Sequence, residues 1–220
     1  MLRARPSAEA APTVPPVAPT KDRILDAALA SFGSRGYEPT SLDSLALGLG
    51  VSKQTILYHF VSKEALLDAV IERSGAELAA AFEQALRRAG PGLERVEAVV
   101  RSVFRLAGRR PELLGLVREV SRLGPPATTR LTGALDPLVA RATGFLQAEM
   151  AGGRMRRQDP RLLLLNAYSV VIGAATEVEV LRALGYEPTA RSLVRRRAEL
   201  LAFLRSALTP APTDLPVSEL

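Results

Sequence analysis

The stretch GVSKQTILYHF, Gly50 to Phe60, gathers short polar side chains at one end of a helical segment and apolar ones behind them. Ser52, Lys53, Gln54 and Thr55 donate and accept hydrogen bonds, so the chemistry open to them is recognition rather than bond making. Gln54 suits the paired donor and acceptor of an adenine edge. Lys53 suits a guanine edge or a phosphate, and Thr55 a base edge or a thymine methyl. Thr40, Tyr58, His59 and Lys63 flank this turn with groups that suit phosphate oxygens, contacts that position a protein without specifying sequence. For Tyr58 the alternative is packing against the first helix.

Catalysis is poorly supplied. The 220 residues contain no cysteine, which excludes disulfides, thiolate nucleophiles and thiolate metal sites. His59 is the only histidine, so a histidine-rich zinc site is impossible and a Ser-His-Asp triad would have to run through the same short helix. No enzyme activity, metal or cofactor is expected. The lack of cysteine fits a reducing cytoplasm, the expected location.

The formal charge of +6 suggests an anionic partner, but its distribution tempers that. From Lys21 to Lys63 five basic residues (Lys21, Arg23, Arg35, Lys53, Lys63) face four acidic ones (Asp22, Asp26, Glu38, Asp43), a net of +1. A nucleic-acid reading therefore rests on placement. The arginine surplus lies later, at Arg154, Arg156, Arg157, Arg161, Arg191 and Arg195 to Arg197, and reads as solvated helix faces.

Four short helices must position the polar turn. Ile24, Leu25, Ala28, Leu29 and Phe32 form one apolar stripe, closed by Gly36. A second helix is expected from TSLD, with Thr40 as cap and Asp43 completing a capping box, carrying Leu42, Leu45, Ala46 and Leu49 to a stop at Gly50. A third begins at Ser52 and ends near Phe60, and a fourth starts at Ser62 with Glu64 in its first turn. Each is too short to be stable alone, so they pack on one another. Ala46 keeps the crossing of the second and third helices close, Gly50 accepts a positive φ, and Leu45, Leu49, Val51 and Ile56 lock the angle. This is a helix-turn-helix, with residues 52–55 at the tip that enters a major groove.

The remainder is helical too, and no strand alternation or internal repeat interrupts it, so the fold class is all-α. GPGLE breaks the chain near residue 90, GPPATT (124–129) is expected to be a loop, a long helix ends near AGGR, and residues 190–208 close the fold. Residues 160–184 are apolar nearly all round, but the strongest run, Leu162 to Ala175, falls short of the roughly 20 residues that cross a membrane. Cover on two sides is expected instead, by its own bundle and by a partner subunit, giving a homodimer through 160–184 and 190–208. A regulatory small-molecule pocket is expected from Phe104, Val117, Phe145, Asn166 and Val170, with Asn166 the strongest choice because an amide in so apolar a helix must find a partner. Taken singly, each of the five also suits plain core. Residues 1–19 read as a disordered arm, without the apolar segment of a signal peptide and with Arg3 and Arg5 as candidate minor-groove contacts. Residues 209–220 read as a flexible tail.

GYEPTSLDSLALGLGVSKQTILYHFVSKEALLDAV resembles the N-terminal domain of TetR/AcrR-type transcriptional regulators, in the Gly-Val-Ser-Lys turn and the Tyr-His-Phe-x-Ser-Lys-Glu passage. The likeness spans about residues 21–70. It implies a three-helix DNA-binding domain at 20–66, a larger ligand-binding and dimerisation bundle at 67–208, and DNA-facing roles for Thr40, Ser52, Lys53, Gln54, Thr55, Tyr58, His59 and Lys63. The implied activity is a ligand-responsive homodimeric regulator, a repressor, on palindromic double-stranded operator DNA. Leu57 stands where many members carry a tyrosine, and Val61 where proline is common. The competing reading is a helical small-molecule-binding protein or enzyme without DNA function, which the weak net charge of 21–63 favours and which a flat salt dependence of duplex binding would reveal.

Overall fold

The computed structural model describes residues 20–210, so the readings of the N-terminal arm and of the tail beyond Pro210 lie outside the described residues. Within them are ten helices and no strand: α1 (Thr20–Arg35), α2 (Leu42–Leu49), α3 (Lys53–His59), α4 (Lys63–Arg87), α5 (Leu93–Arg109), α6 (Pro111–Leu123), α7 (Ala127–Ala151), α8 (Pro160–Thr176), α9 (Val178–Ala183) and α10 (Ala190–Leu208).

The stripe on α1 is part of the main core, which continues into α4, α5 and α6. Ile24, Ala28 and Phe32 are fully buried, Leu25 and Leu29 nearly so, and each of the large side chains among them contributes roughly 1.5–3 kcal/mol through burial. The capping of α2 differs from the expectation. Ser41, not Thr40, is the N-cap, and Ser44, not Asp43, completes the box: the Ser44 amide donates to Ser41 Oγ and the Ser41 amide to Ser44 Oγ. Two hydroxyl residues in succession both offer a cap, and packing decides between them: Thr40 is enclosed, with its hydroxyl on the Gly36 carbonyl, while exposed Ser41 is left to cap the helix. Ser52 and Ser62 cap α3 and α4 as expected, accepting from the amides of Thr55 and Ala65.

α6 is the centre of the molecule. Leu113, Leu114, Leu116, Val117 and Val120 are all buried, and the helix touches α1 on one side and α5, α7 and α8 on the others. A smaller cluster, Leu146, Met150, Met155, Leu163 and Leu208, ties the end of α7 to the start of α8 and the end of α10.

Two further boundaries differ from the sequence reading. The loop at GPPATT is confined to Gly124–Pro126, because Ala127 is buried and already begins α7. The apolar stretch 160–184 is two helices, broken at Glu177, whose carboxylate pairs with Arg118 at 2.7 Å. Arg196 of α10 donates to the Ala174 carbonyl at 2.8 Å, placing a cation at the C-terminal end of α8, where the helix dipole favours it. No described helix is long and apolar enough to cross a membrane.

Candidate nucleic-acid interface

Gly50 has φ 67° and ψ 33°, and a Cβ there would meet nothing within 4 Å. Backbone conformation, not lack of room, calls for glycine at this turn. The Val51 amide donates to the Ala46 carbonyl at 3.0 Å, so the chain leaves α2 tightly and α3 starts at once. Ile56 is fully buried and fastens α3 by one face, with Leu45 and Ala46 of α2 buried beside it and Leu49 and Val51 packed partly against the same core. Gln54 and Tyr58, four residues apart, then share the opposite, exposed face, and Tyr58 is 86% exposed. An edge-on contact with His59 does not cover it. The alternative packing of Tyr58 against α1 is not seen.

The other candidates divide. Ser52, Lys53 and Gln54 are exposed, and Thr55, His59 and Lys63 half-buried at the rim. Ser52 Oγ lies 2.9 Å from Thr55 Oγ1 and also caps the helix, so part of its bonding capacity is used locally. Lys53 pairs with Asp43 at 2.9 Å. Lys63 Nζ sits 4.1 Å from the Tyr37 ring centre and donates to the Glu38 carbonyl at 3.2 Å. Thr40 departs from expectation. It is 1% exposed and its hydroxyl donates to the Gly36 carbonyl at 2.8 Å, so the interior holds it away from any surface ligand.

Several residues escaped the sequence reading. Arg23 of α1 donates to the Leu49 carbonyl at 3.2 Å, satisfying the C-terminal end of α2. Tyr37 anchors the α1–α2 connection: its hydroxyl meets Glu64 at 3.2 Å and its amide donates to Glu119 of α6 at 2.6 Å. Burial and the Glu64 carboxylate push the Tyr37 phenol up to about 12. Glu64 is held below the usual carboxylate range by its own backbone amide, Ser62 and Tyr37. The only local signal for this cluster was aromatic Tyr37 directly after Gly36.

Residues 24–70 match the profile of bacterial regulatory proteins, tetR family. The HTH-type transcriptional regulator RutR of Escherichia coli (strain K12) is 30% identical over 149 residues, which is 67% of this chain and 70% of RutR. The chain belongs to the tetR family. Its fold extends the likeness beyond the matched segment. The ketosteroid transcriptional regulator KstR2 of Mycobacterium tuberculosis superposes with a TM-score of 0.69 at 19% identity, covering 88% of this chain and 97% of KstR2. The regulator FadR from Bacillus subtilis, solved with stearoyl-CoA, gives 0.69 at 21% identity over 84% of this chain and 98% of FadR. At such identity the structures establish the shared all-α architecture, an N-terminal helix-turn-helix followed by a helical bundle. As a tetR-family member the chain is a DNA-binding transcriptional regulator of a ligand-responsive family, not an enzyme.

In this tetR-family bundle the five expected pocket residues do not surround one cavity. Phe104 and Val117 are buried in the main core. Phe145 is half-buried at the smaller cluster, with the Arg95 guanidinium 5.2 Å from its ring centre. Asn166 and Val170 are exposed on α8, so the amide is open to solvent and needs no partner within the bundle. An open groove of about 690 Å³ lies instead between α7 and α8, lined by Asp136, Val139, Thr143, Gln147, Arg161 and Leu164.

Proposed function

We propose that this regulator is a repressor that binds a palindromic operator as a homodimer, with Gln54 reading bases from the N-terminal turn of α3. The observation that carries the reading is the exposure of Gln54 and Tyr58 on the face of α3 opposite fully buried Ile56. Ser52, Lys53 and Thr55 supply further contacts at the tip, while Tyr58, His59 and Lys63 meet phosphates. Thr40 is omitted, being enclosed.

The dimer forms through α8 and α10. Leu162, Leu165 and Tyr168 of α8 and Val194 and Phe203 of α10 are between 41% and 58% exposed, more apolar surface than a solvated bundle face needs. Pairing α8 and α10 with their copies covers it and sets two α3 tips about 34–36 Å apart, one turn of duplex. A small-molecule effector bound in the bundle releases DNA if it prefers a conformation with another spacing. The two parts are a head at residues 20–66 and a body at 67–208, joined by α4, which runs unbroken across that boundary.

Selection of bound duplexes from a random pool, followed by sequencing, tests the proposal. A two-fold symmetric motif with half-sites one helical turn apart is expected. An enriched motif without symmetry, or none, overturns it. The repressor role is tested by whether deleting the gene raises transcription from the selected site.

A further inference from the structure

Both partners of the Lys63 ammonium lie on consecutive residues: the ring of Tyr37 at 4.1 Å and the carbonyl of Glu38 at 3.2 Å. The backbone at Tyr37 is in turn held from outside the head. Its amide donates to Glu119 Oε1 at 2.6 Å, and Glu119 belongs to α6. Arg122 donates to the two oxygens of the same carboxylate, at 2.8 Å each, which keeps it charged and fixed in direction. Glu119 itself is buried, 9% exposed.

Beneath this contact α1 and α6 cross with no side chain between them. A Cβ on Gly33 would lie 2.2 Å from the Glu112 carbonyl oxygen, and one on Gly115 would lie 2.0 Å from the Gly33 carbonyl oxygen. Backbone meets backbone, which leaves no soft side chains to absorb sliding. Of all helix pairs, α1 and α6 share the most extensive contact, more than α6 makes with α5, α7 or α8. Although α6 lies deep in the chain of the larger bundle, its closest approach is to α1 of the head.

We propose that Glu119 is a positioning residue for DNA contact: it fixes the Tyr37 backbone, Tyr37 and Glu38 fix the Lys63 ammonium, and α6 therefore moves as part of the DNA-binding head. Two Lys63 donors remain for a phosphate once the Glu38 carbonyl has taken one. The inference rests on Lys63 meeting phosphate, as proposed above.

The test measures duplex affinity of the full-length protein against salt, on a duplex taken from the random-pool selection. Lys63→Ala is expected to lower the magnitude of the slope of log affinity on log salt by about one. Glu119→Ala and Tyr37→Leu are expected to lower it equally, and neither adds to the loss in a double variant with Lys63→Ala. Glu119→Gln, which still accepts from the amide, and Tyr37→Phe, which keeps the ring, retain the wild-type slope. A folded Glu119→Ala with an unchanged slope overturns the inference, as does additivity with Lys63→Ala. If Glu119→Ala does not fold, Tyr37→Leu carries the same test.

A second measurement separates this inference from the reading it rests on. Amide exchange of the free protein in rising denaturant should show α6 opening together with α1, and Glu119→Ala should lower the protection of both. If α6 opens with α5 while α1 opens with α2 and α3, the helix is not part of the head. If Lys63→Ala leaves the salt slope unchanged, it is the phosphate role of Lys63 that fails, and the exchange result still decides where α6 belongs.

Discussion

Lys53, the first residue of α3, is held at 2.9 Å by Asp43 in the first turn of α2. The pair spans the two arms of the helix-turn-helix and lies at its surface, with Asp43 69% exposed. An exposed pair of this kind contributes about 0–1 kcal/mol, so Asp43→Asn should scarcely change the melting temperature. It should instead release Lys53 toward phosphate. Affinity for arbitrary duplex is expected to rise, with the magnitude of the salt slope greater by up to about 0.9, measured by fluorescence anisotropy at several salt concentrations. Weaker binding by the variant would contradict this.

Gln54→Ala removes an exposed side chain that makes no hydrogen bond to the described residues, so its effect should be confined to recognition. A loss of roughly 1–3 kcal/mol on the selected operator and almost none on scrambled duplex is expected from competition titrations. Equal losses on both would place Gln54 on the backbone instead.

Glycine at 115 is required by the close approach of α1. Gly115→Ala should destabilise the protein by about 1–3 kcal/mol or more in denaturant titration, since overpacking here presses on backbone. Gly133 in α7 supplies the control: a Cβ there meets nothing within 4 Å, and Gly133→Ala should stabilise by up to about 1 kcal/mol. Similar effects at the two sites would refute the crossing geometry.

Tyr37 predicts an alkaline signature. Its phenol is raised from the ordinary value near 10 to about 12, so the stabilisation it provides is fully present below pH 10 and is lost as pH rises through 12. Ultraviolet titration should show an ionisation near pH 12 that Tyr37→Phe removes. At the acid end the sign reverses. Arg122 and the Tyr37 amide, outweighing burial, hold Glu119 below the usual carboxylate range, so its contribution is present above that range and falls away as pH drops beneath it. Glu119→Gln should flatten this acid limb in pH-dependent melts.

Leu165 and Phe203, 57% and 58% exposed, test the dimer. Leu165→Glu or Phe203→Glu should convert a dimer into a folded monomer in sedimentation velocity, with operator affinity lost alongside. A wild-type monomer at micromolar concentration would remove the basis for the proposed half-site spacing.

Much of the head could be read from neighbouring residues. Ser52 and Ser62 as caps, Gly50 as the left-handed turn and the α1 stripe all follow from hydrogen bonds and steric limits within a few positions along the chain. The same local rules could not choose between Thr40 and Ser41 as the cap of α2, because adjacent hydroxyls satisfy one pattern and only packing shows which points inward. The apolar run 160–184 announced a helix but not its break at Glu177, whose backbone leaves the helical region while its carboxylate pairs with Arg118 of α6, a residue far away in the chain. Phe104 and Asn166 have compositions that suit a pocket, yet one fills core and the other faces outward.

What the sequence alone determined is therefore the all-α class, the helix-turn-helix and the polar tip of α3, since each is written in spacings shorter than a helical turn or two. Tertiary structure alone decided that Thr40 is enclosed, that Asp43 holds Lys53, and that Glu119 reaches Tyr37 across 82 positions. Those facts depend on how helices rotate and cross, and a crossing is fixed by the packing of whole faces, which no short stretch of residues contains.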